Sequence, residues 1–354
     1  MFHLSISLAK VTGIVDEKDT QTDDGVVWSQ RVRLEFLNGA RKAQQISIDY
    51  GGQIQVKGQQ KVTKGERVVV ASVEGAEGTT DYIADTYRLP AVLKIAALFF
   101  VLVILLGRWK GLGSVLGLGV SILILLLYAV PRILNGDNPL TVGAISAFFI
   151  AIVTLYLAHG FRSRTSIALI GTLISITFAT ALAGAFVRFA RLFGTGSEDA
   201  FYLQAGATAF IDLRGLFLAG IIIGVLGVLD DITTGTAAAV HEIHKTDPRL
   251  RFRELYRKGI SVGTEHIASL VNTLALAYVG ASFPLLLLFA SENPQPLWAV
   301  VNSELISEEI IRTLVGSMAL LAAVPLTTTL AAWWYGRSKN RNDAQHPDAM
   351  ATRT

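Results

Sequence analysis

Two patterns of apolar residues divide the chain. From about residue 4 to residue 88 the apolar positions come singly or in short runs. Val32, Leu34 and Phe36 alternate with Arg31, Arg33 and Glu35, the period of two that marks a half-buried strand. Runs such as QQISIDY, RVVVASV and TDYIADTY repeat the signal, with Asn38-Gly39, Gly51-Gly52 and Lys64-Gly65 as turns between them. This predicts a small barrel or sandwich of five or six strands. After Pro90 the apolar runs lengthen to about 20 residues, enough to cross a bilayer as helices. Seven spans are expected, at about residues 90–107, 111–130, 139–159, 165–188, 213–232, 264–290 and 309–335. Between the fourth and fifth, SEDAFYLQAGATAFIDL is bracketed by Glu198, Asp199 and Asp212 and reads as interfacial or re-entrant.

The predicted organisation is an all-β extracytoplasmic domain at 1–88, an α-helical polytopic membrane bundle at 89–336 and a disordered cytoplasmic tail at 337–354. Composition agrees: 51% of residues are hydrophobic and the mean hydropathy is +0.48, too apolar for an ordinary soluble enzyme. The chain has no cysteine, which excludes disulfides, thiolate metal sites and Cys nucleophiles. A net charge of +3 without a dense basic arm gives no reason to expect nucleic acid as a partner.

Charge position matters more than the total. Arg108, Lys110, Arg162, Arg164, Lys245 and the 249–258 cluster fall on one side of the expected spans with Arg337, Lys339 and Arg341. The other side carries Arg132, Arg188 and Arg191, and its last loop holds Glu292, Glu304, Glu308 and Glu309. The positive-inside rule makes the first side cytoplasmic, in a cell membrane, with the β-domain outside. Residues 1–9 are too short for a signal-peptide core, so the natural start is expected upstream of Met1.

The candidate chemistry centres on LRGLFLAGIIIGVLGVLDDITTGTAAAVHE at 213–242. Gly220, Gly224 and Gly227 thread an uncharged helix and invite close approach by its neighbours. Asp230 and Asp231 then follow at its inner end. A continuing helix aligns Asp230, Thr234 and His241 on one face and Asp231, Ala238 and Glu242 on the next. Ionisable groups at membrane depth face a bundle interior or a wet cavity and mark a functional site; the alternative is two ordinary helix-end residues in the headgroup zone. Downstream, GTEHIASLVNTLALAYVG sets Glu265 at the entrance of the next span, with Asn272 about two turns deeper, as a site residue or as an interhelical hydrogen bond. In the final span, Pro325 frees a carbonyl that Thr327 to Thr329 are placed to re-satisfy, and Trp333 and Trp334 form an interfacial belt.

His241, Glu242 and His244 miss the HExxH spacing of a zinc protease, so no metal is expected there. The basic residues Arg249, Arg251, Arg253, Arg257 and Lys258 suit anionic headgroups at the bilayer surface. No nucleophile elbow, phosphate loop or dinucleotide fingerprint is present, so neither an enzyme nor a cofactor is expected.

At GVLGVLDDITTGTAAAVHEI, GTEHIASLVNTLALAYVGASFPLLLL and EEIIRTLVGSMALLAAVPLTT the sequence resembles the YibE/F family of bacterial inner-membrane multi-span proteins, over about residues 90–335. The β-domain resembles that family's N-terminal portion. A weaker likeness runs to half of an RND-type transporter, including Sec-export accessory subunits, where a glycine-rich span also ends in Asp; that likeness implicates Asp230 or Asp231 in proton coupling. The expected function is transporter-like, with an intramembrane site of Asp230, Asp231, Asn272 and Glu265. The alternative is a non-transporting scaffold whose β-domain binds a protein partner. The bilayer is the expected surrounding, and a homo-oligomer is compatible with the pattern.

Overall fold

The computed structural model describes residues 3–22, 25–51, 61–75, 78–206, 208–281, 283, 284, 287 and 296–345. The chain forms two compact units, Met1–Leu102 and Val103–Thr354.

The first unit is built on five antiparallel strands: β1 (His3–Thr22), β2 (Gly25–Phe36), β3 (Gln45–Gly51), β4 (Arg67–Gly75) and β5 (Gly78–Thr86). They form one sheet in the order β3-β2-β1-β4-β5. The long β1 spans both halves of it: His3 to Lys10 pair with β4, and Ala9 to Thr22 pair with β2. Two register shifts in β1, at Val11/Gly13 and Ile14/Asp16, bend the strand, and the outer strands β3 and β5 come into contact as the sheet curls. The alternation read from β2 holds. Val32, Leu34 and Phe36 are buried with Val11, Ile48, Val68 and Val70, while Arg31 and Arg33 are exposed. Inside this curl Arg41 grips Asp81 through two bonds, Nη1 to Oδ2 at 2.9 Å and Nη2 to Oδ1 at 2.6 Å, and its guanidinium lies 4.4 Å from the Phe36 ring. Gly52 lies outside the described residues, and with it the turn expected there.

The second unit is helical. The helices are α1 (Leu89–Leu134, whose first residues belong to the first unit), α2 (Pro139–His159), α3 (Ser163–Phe189), α4 (Glu198–Ala205), α5 (Leu213–Thr246), α6 (Phe252–Ala281), α7 (Leu297–Asn302) and α8 (Glu304–Gln345). Among the described residues five helices are long and apolar enough to span a membrane: α1, α2, α3, α5 and α8. The expected count of seven is not confirmed among the described residues. The first two expected spans fall on either side of Arg108, whose φ 51° and ψ −132° separate two helices within the stretch Leu89–Leu134. The expected span at 264–290 runs past the described part of α6, in which the apolar stretch is only Val271–Ala281.

The centre of the bundle is α5, packed against α2, α3, α6 and α8. Its buried face carries Ile221, Ile222, Val225, Leu226, Leu229 and Ile232, which meet Ala179 and Ala183 of α3 and Val315, Ala319 and Ala323 of α8. Fully burying one such side chain contributes about 1.5–3 kcal/mol against water, but against lipid tails the gain comes from packing, so small residues sit at the closest crossings. Of the glycines expected to allow close approach, Gly220 faces α8, where a Cβ would lie 3.4 Å from Arg312 Nη1, but Gly227 makes no close crossing. A Cβ on Gly227 would meet nothing within 4 Å, whereas one on Gly143 of α2 would lie 2.6 Å from Ala219 Cβ. The close approach of α2 to α5 thus runs through Gly143 against Ala219, and Gly227 instead borders open space.

α4 is a short helix of about two turns capped by Ser197, whose Oγ accepts from Ala200 N at 3.2 Å. Its exposed Phe201 and Tyr202 fit the interfacial reading. In α8 the helix continues through Pro325, but only Thr329 back-bonds, donating to the Pro325 carbonyl at 2.7 Å. Thr327 and Thr328 are buried and their hydroxyls have no partner, so the expected three-threonine repair does not form. Trp333 and Trp334 are exposed, with Arg337 4.2 Å from the Trp333 ring, as an interfacial belt requires.

Candidate functional site

The helix bearing Asp230 and Asp231 does not end at them. α5 runs on to Thr246, because TTGTAAAV contains neither proline nor a charge to stop it. Adjacent positions on a helix point about 100° apart, and the two carboxylates meet different surroundings. Asp230 turns toward α2, where Thr154 Oγ1 lies 2.9 Å from its Oδ2. Its other oxygen, Oδ1, is buried without a partner. Asp231 is exposed.

Thr154 has one hydroxyl proton and two close acceptors, Asp230 Oδ2 at 2.9 Å and the Ile150 carbonyl at 2.8 Å, with the Ala151 carbonyl further off at 3.4 Å. A carboxylate at Asp230 must compete with that carbonyl for the proton. A carboxylic acid instead donates its own O–H to Thr154 Oγ1 and leaves the threonine free to donate to Ile150, so both bonds form. The local hydrogen bonding therefore distinguishes the two protonation states of Asp230 by one bond.

A cavity of about 500 Å³ opens beside this pair between α1, α2 and α5, lined by Ser114, Ser121, Thr154, His159, Gly227 and both aspartates. It shares His159 and Asp231 as lining residues with a second space of about 270 Å³, which Lys110, Arg164, Thr165 and Thr234 also line. Gly113 of α1 lies so close to the backbone of Leu157 that any side chain there would displace it. The aspartates thus stand between an apolar recess and a basic mouth.

The remaining expected site residues separate. Thr234 lines the basic mouth and donates to the Asp230 backbone carbonyl at 2.8 Å. His241 lies three turns further on and faces α8, its ring 5.1 Å from that of Tyr335, with His244 at 5.6 Å from the same ring. Glu242 is exposed and 4.0 Å from Lys245. Glu265 and Asn272 are exposed on α6 and line neither cavity, so the expected four-residue cluster does not assemble. The reason is rotational: the face of α6 that packs on α5 and α8 carries Leu255, Gly259, Gly263 and Leu274. Arg249, Arg251, Arg253, Arg257 and Lys258 are all exposed around the α5–α6 connection.

Sequence reasoning passed over Thr154, His159, Lys110, Arg164 and Thr165. Thr154 had a legible signal, a hydroxyl within FFIAIVTLYLAH, but only the α2–α5 crossing identifies its partner. Elsewhere, Glu304 and Glu308 are not a solvated loop. Glu304 Oε1 accepts from the backbone N–H of Phe193 at 2.6 Å and Gly194 at 3.0 Å, and Glu308 Oε1 accepts from Gly196 N at 3.1 Å.

No curated protein and no solved structure matches this chain. The family model for YibE/F-like proteins matches residues 95–337, which cover α2, α3, α5, α6 and the spanning part of α8, and the chain belongs to that family.

Proposed function

We propose that this YibE/F-family protein is a proton-linked transporter of the cell membrane, in which Asp230 gains and loses the proton and Asp231 passes it to the basic mouth. The observation that carries this reading is the Asp230–Thr154 contact at 2.9 Å beside a 500 Å³ recess, with Asp230 Oδ1 buried and unpartnered. A buried carboxyl with one unsatisfied oxygen is expensive unless it titrates or receives a ligand. The Thr154 hydroxyl offers it a hydrogen bond in either state. The reading sets the β-domain outside and the C-terminus inside, by the distribution of Lys and Arg. It assigns no covalent chemistry and no cofactor to the chain.

The test is pH change in proteoliposomes loaded with a pH-sensitive dye, on addition of candidate solutes to the full chain. A solute-dependent signal from the wild type that disappears in Asp230→Asn, with insertion and thermal stability retained, supports the reading. Full activity of the Asp230→Asn, Asp231→Asn double variant overturns it and favours a scaffold whose β-domain binds a partner.

A further inference from the structure

The basic mouth contains more than a proton route requires. Four elements converge on it: Lys110 from α1 just past the Arg108 break, His159 at the end of α2, Arg164 and Thr165 from the first turn of α3, and Asp231 with Thr234 from α5. Neither Lys110 nor Arg164 has an ion-pair partner among the described residues, although Asp231 lines the same 270 Å³ space. Opposite charges that face one cavity without closing on each other leave room between them for a third group. Thr165 adds an independent sign. Its side chain is 2% exposed, its hydroxyl has no partner, and it lines this space. A buried hydroxyl without a bond costs about 1–3 kcal/mol, which a ligand oxygen would recover. α3 also begins here without a side-chain cap, its N-cap Arg162 accepting nothing through its side chain.

We propose that this mouth is a binding site for a phosphate group, carried on a small solute or on a lipid headgroup. Arg164 presents a planar fork that matches two phosphate oxygens, Lys110 supplies a point charge from the opposite helix, and Thr165 donates its hydroxyl to a third oxygen. Two cations against one carboxylate leave the space net positive. Asp231 limits affinity by repelling the anion, so its removal tightens binding. The site goes beyond the proton-linked reading, since it holds whether or not the chain transports, and its test measures binding alone.

The full chain, purified in detergent, is titrated calorimetrically with inorganic phosphate. It is also reconstituted in phosphatidylcholine nanodiscs with and without phosphatidic acid. Arg164→Gln and Lys110→Gln are each expected to weaken phosphate binding about tenfold or more, the loss of one charge-assisted hydrogen bond. Thr165→Val weakens it several-fold without lowering the thermal midpoint, because the hydroxyl has no partner in the protein to lose. Asp231→Asn tightens binding several-fold, a gain that misfolding cannot imitate. Binding of free phosphate with this pattern supports the site with a solute as its source. Selective binding of phosphatidic acid with the same pattern supports it with a lipid as its source. No binding of either, or binding unchanged in Arg164→Gln and Lys110→Gln, overturns it.

Discussion

Thr154→Val isolates the contact on which the proposed function rests. The substitution keeps the shape of the side chain and deletes a hydroxyl that lies 2.9 Å from Asp230 Oδ2 and 2.8 Å from the Ile150 carbonyl. The carbonyl keeps its helical bond. Asp230 loses its side-chain hydrogen bond and is left with both oxygens unpartnered, Oδ1 already being so. Interhelical hydrogen bonds in membrane bundles contribute about 0.6–2 kcal/mol. At about 2–4 °C per kcal/mol for a chain of this size, the thermal midpoint should fall by about 1–8 °C. Asp230→Asn behaves differently, because its amide can still donate to Thr154 Oγ1, and its midpoint should stay within about 2 °C of wild type. Replacing both partners with apolar groups, Thr154→Val with Asp230→Leu, should recover most of the loss, since no polar atom is then stranded. The assay is thermal unfolding of the detergent-solubilised chain, with the double variant closing a cycle. A Thr154→Val variant more stable than wild type, or strictly additive effects in the double variant, would refute the coupling.

In the β-domain, the Arg41 guanidinium holds the Asp81 carboxyl below its ordinary range, with a further bond from Ser72 Oγ at 2.5 Å. A carboxyl depressed in the folded state contributes stability above its unfolded pKa of about 3.9 and loses it as pH falls through the folded value. Acid unfolding should therefore shift to higher pH in Arg41→Met, and Asp81→Asn should flatten the dependence below about pH 4. Glu304→Ala removes the acceptor for three backbone N–H groups and the Thr195 hydroxyl, costing about 1–3 kcal/mol and exposing residues 193–196 to proteolysis; unchanged protease resistance argues against the clamp. Asn272→Leu, destabilising if Asn272 is an interhelical hydrogen bond, should change stability by less than about 0.5 kcal/mol because the side chain is exposed and has no hydrogen-bond partner among the described residues. Reporter fusions after Gly259 and near Asn293 should report the inner and outer sides respectively, and the reverse result would reject the orientation drawn from Lys and Arg.

How much of this molecule is local, and how much is not, can be followed residue by residue. Period-two alternation places Val32, Leu34 and Phe36 inside, because a strand offers each residue only two faces. Unbroken apolar runs mark α2, α3 and α5, because a backbone in lipid must satisfy its hydrogen bonds within its own helix. Even the inequality of Asp230 and Asp231 follows from the helical period alone. What the period does not say is which aspartate faces inward. That is decided by α2, which brings Thr154 across 76 residues of chain to Asp230. The same limit applies to Asn272 and Glu265. Their polarity in an apolar span is legible, but the rotation of α6 is set by where Gly259 and Gly263 meet Thr328 and Val324 of α8, and that rotation turns both away from the cavities. Lys110 and Arg164 read in sequence as loop-end residues that orient the chain, and Thr165 as the start of a span. Only the convergence of α1, α2, α3 and α5 makes them one cavity wall, since charge at a helix end is permitted by local rules while its neighbours across the bundle are chosen by packing.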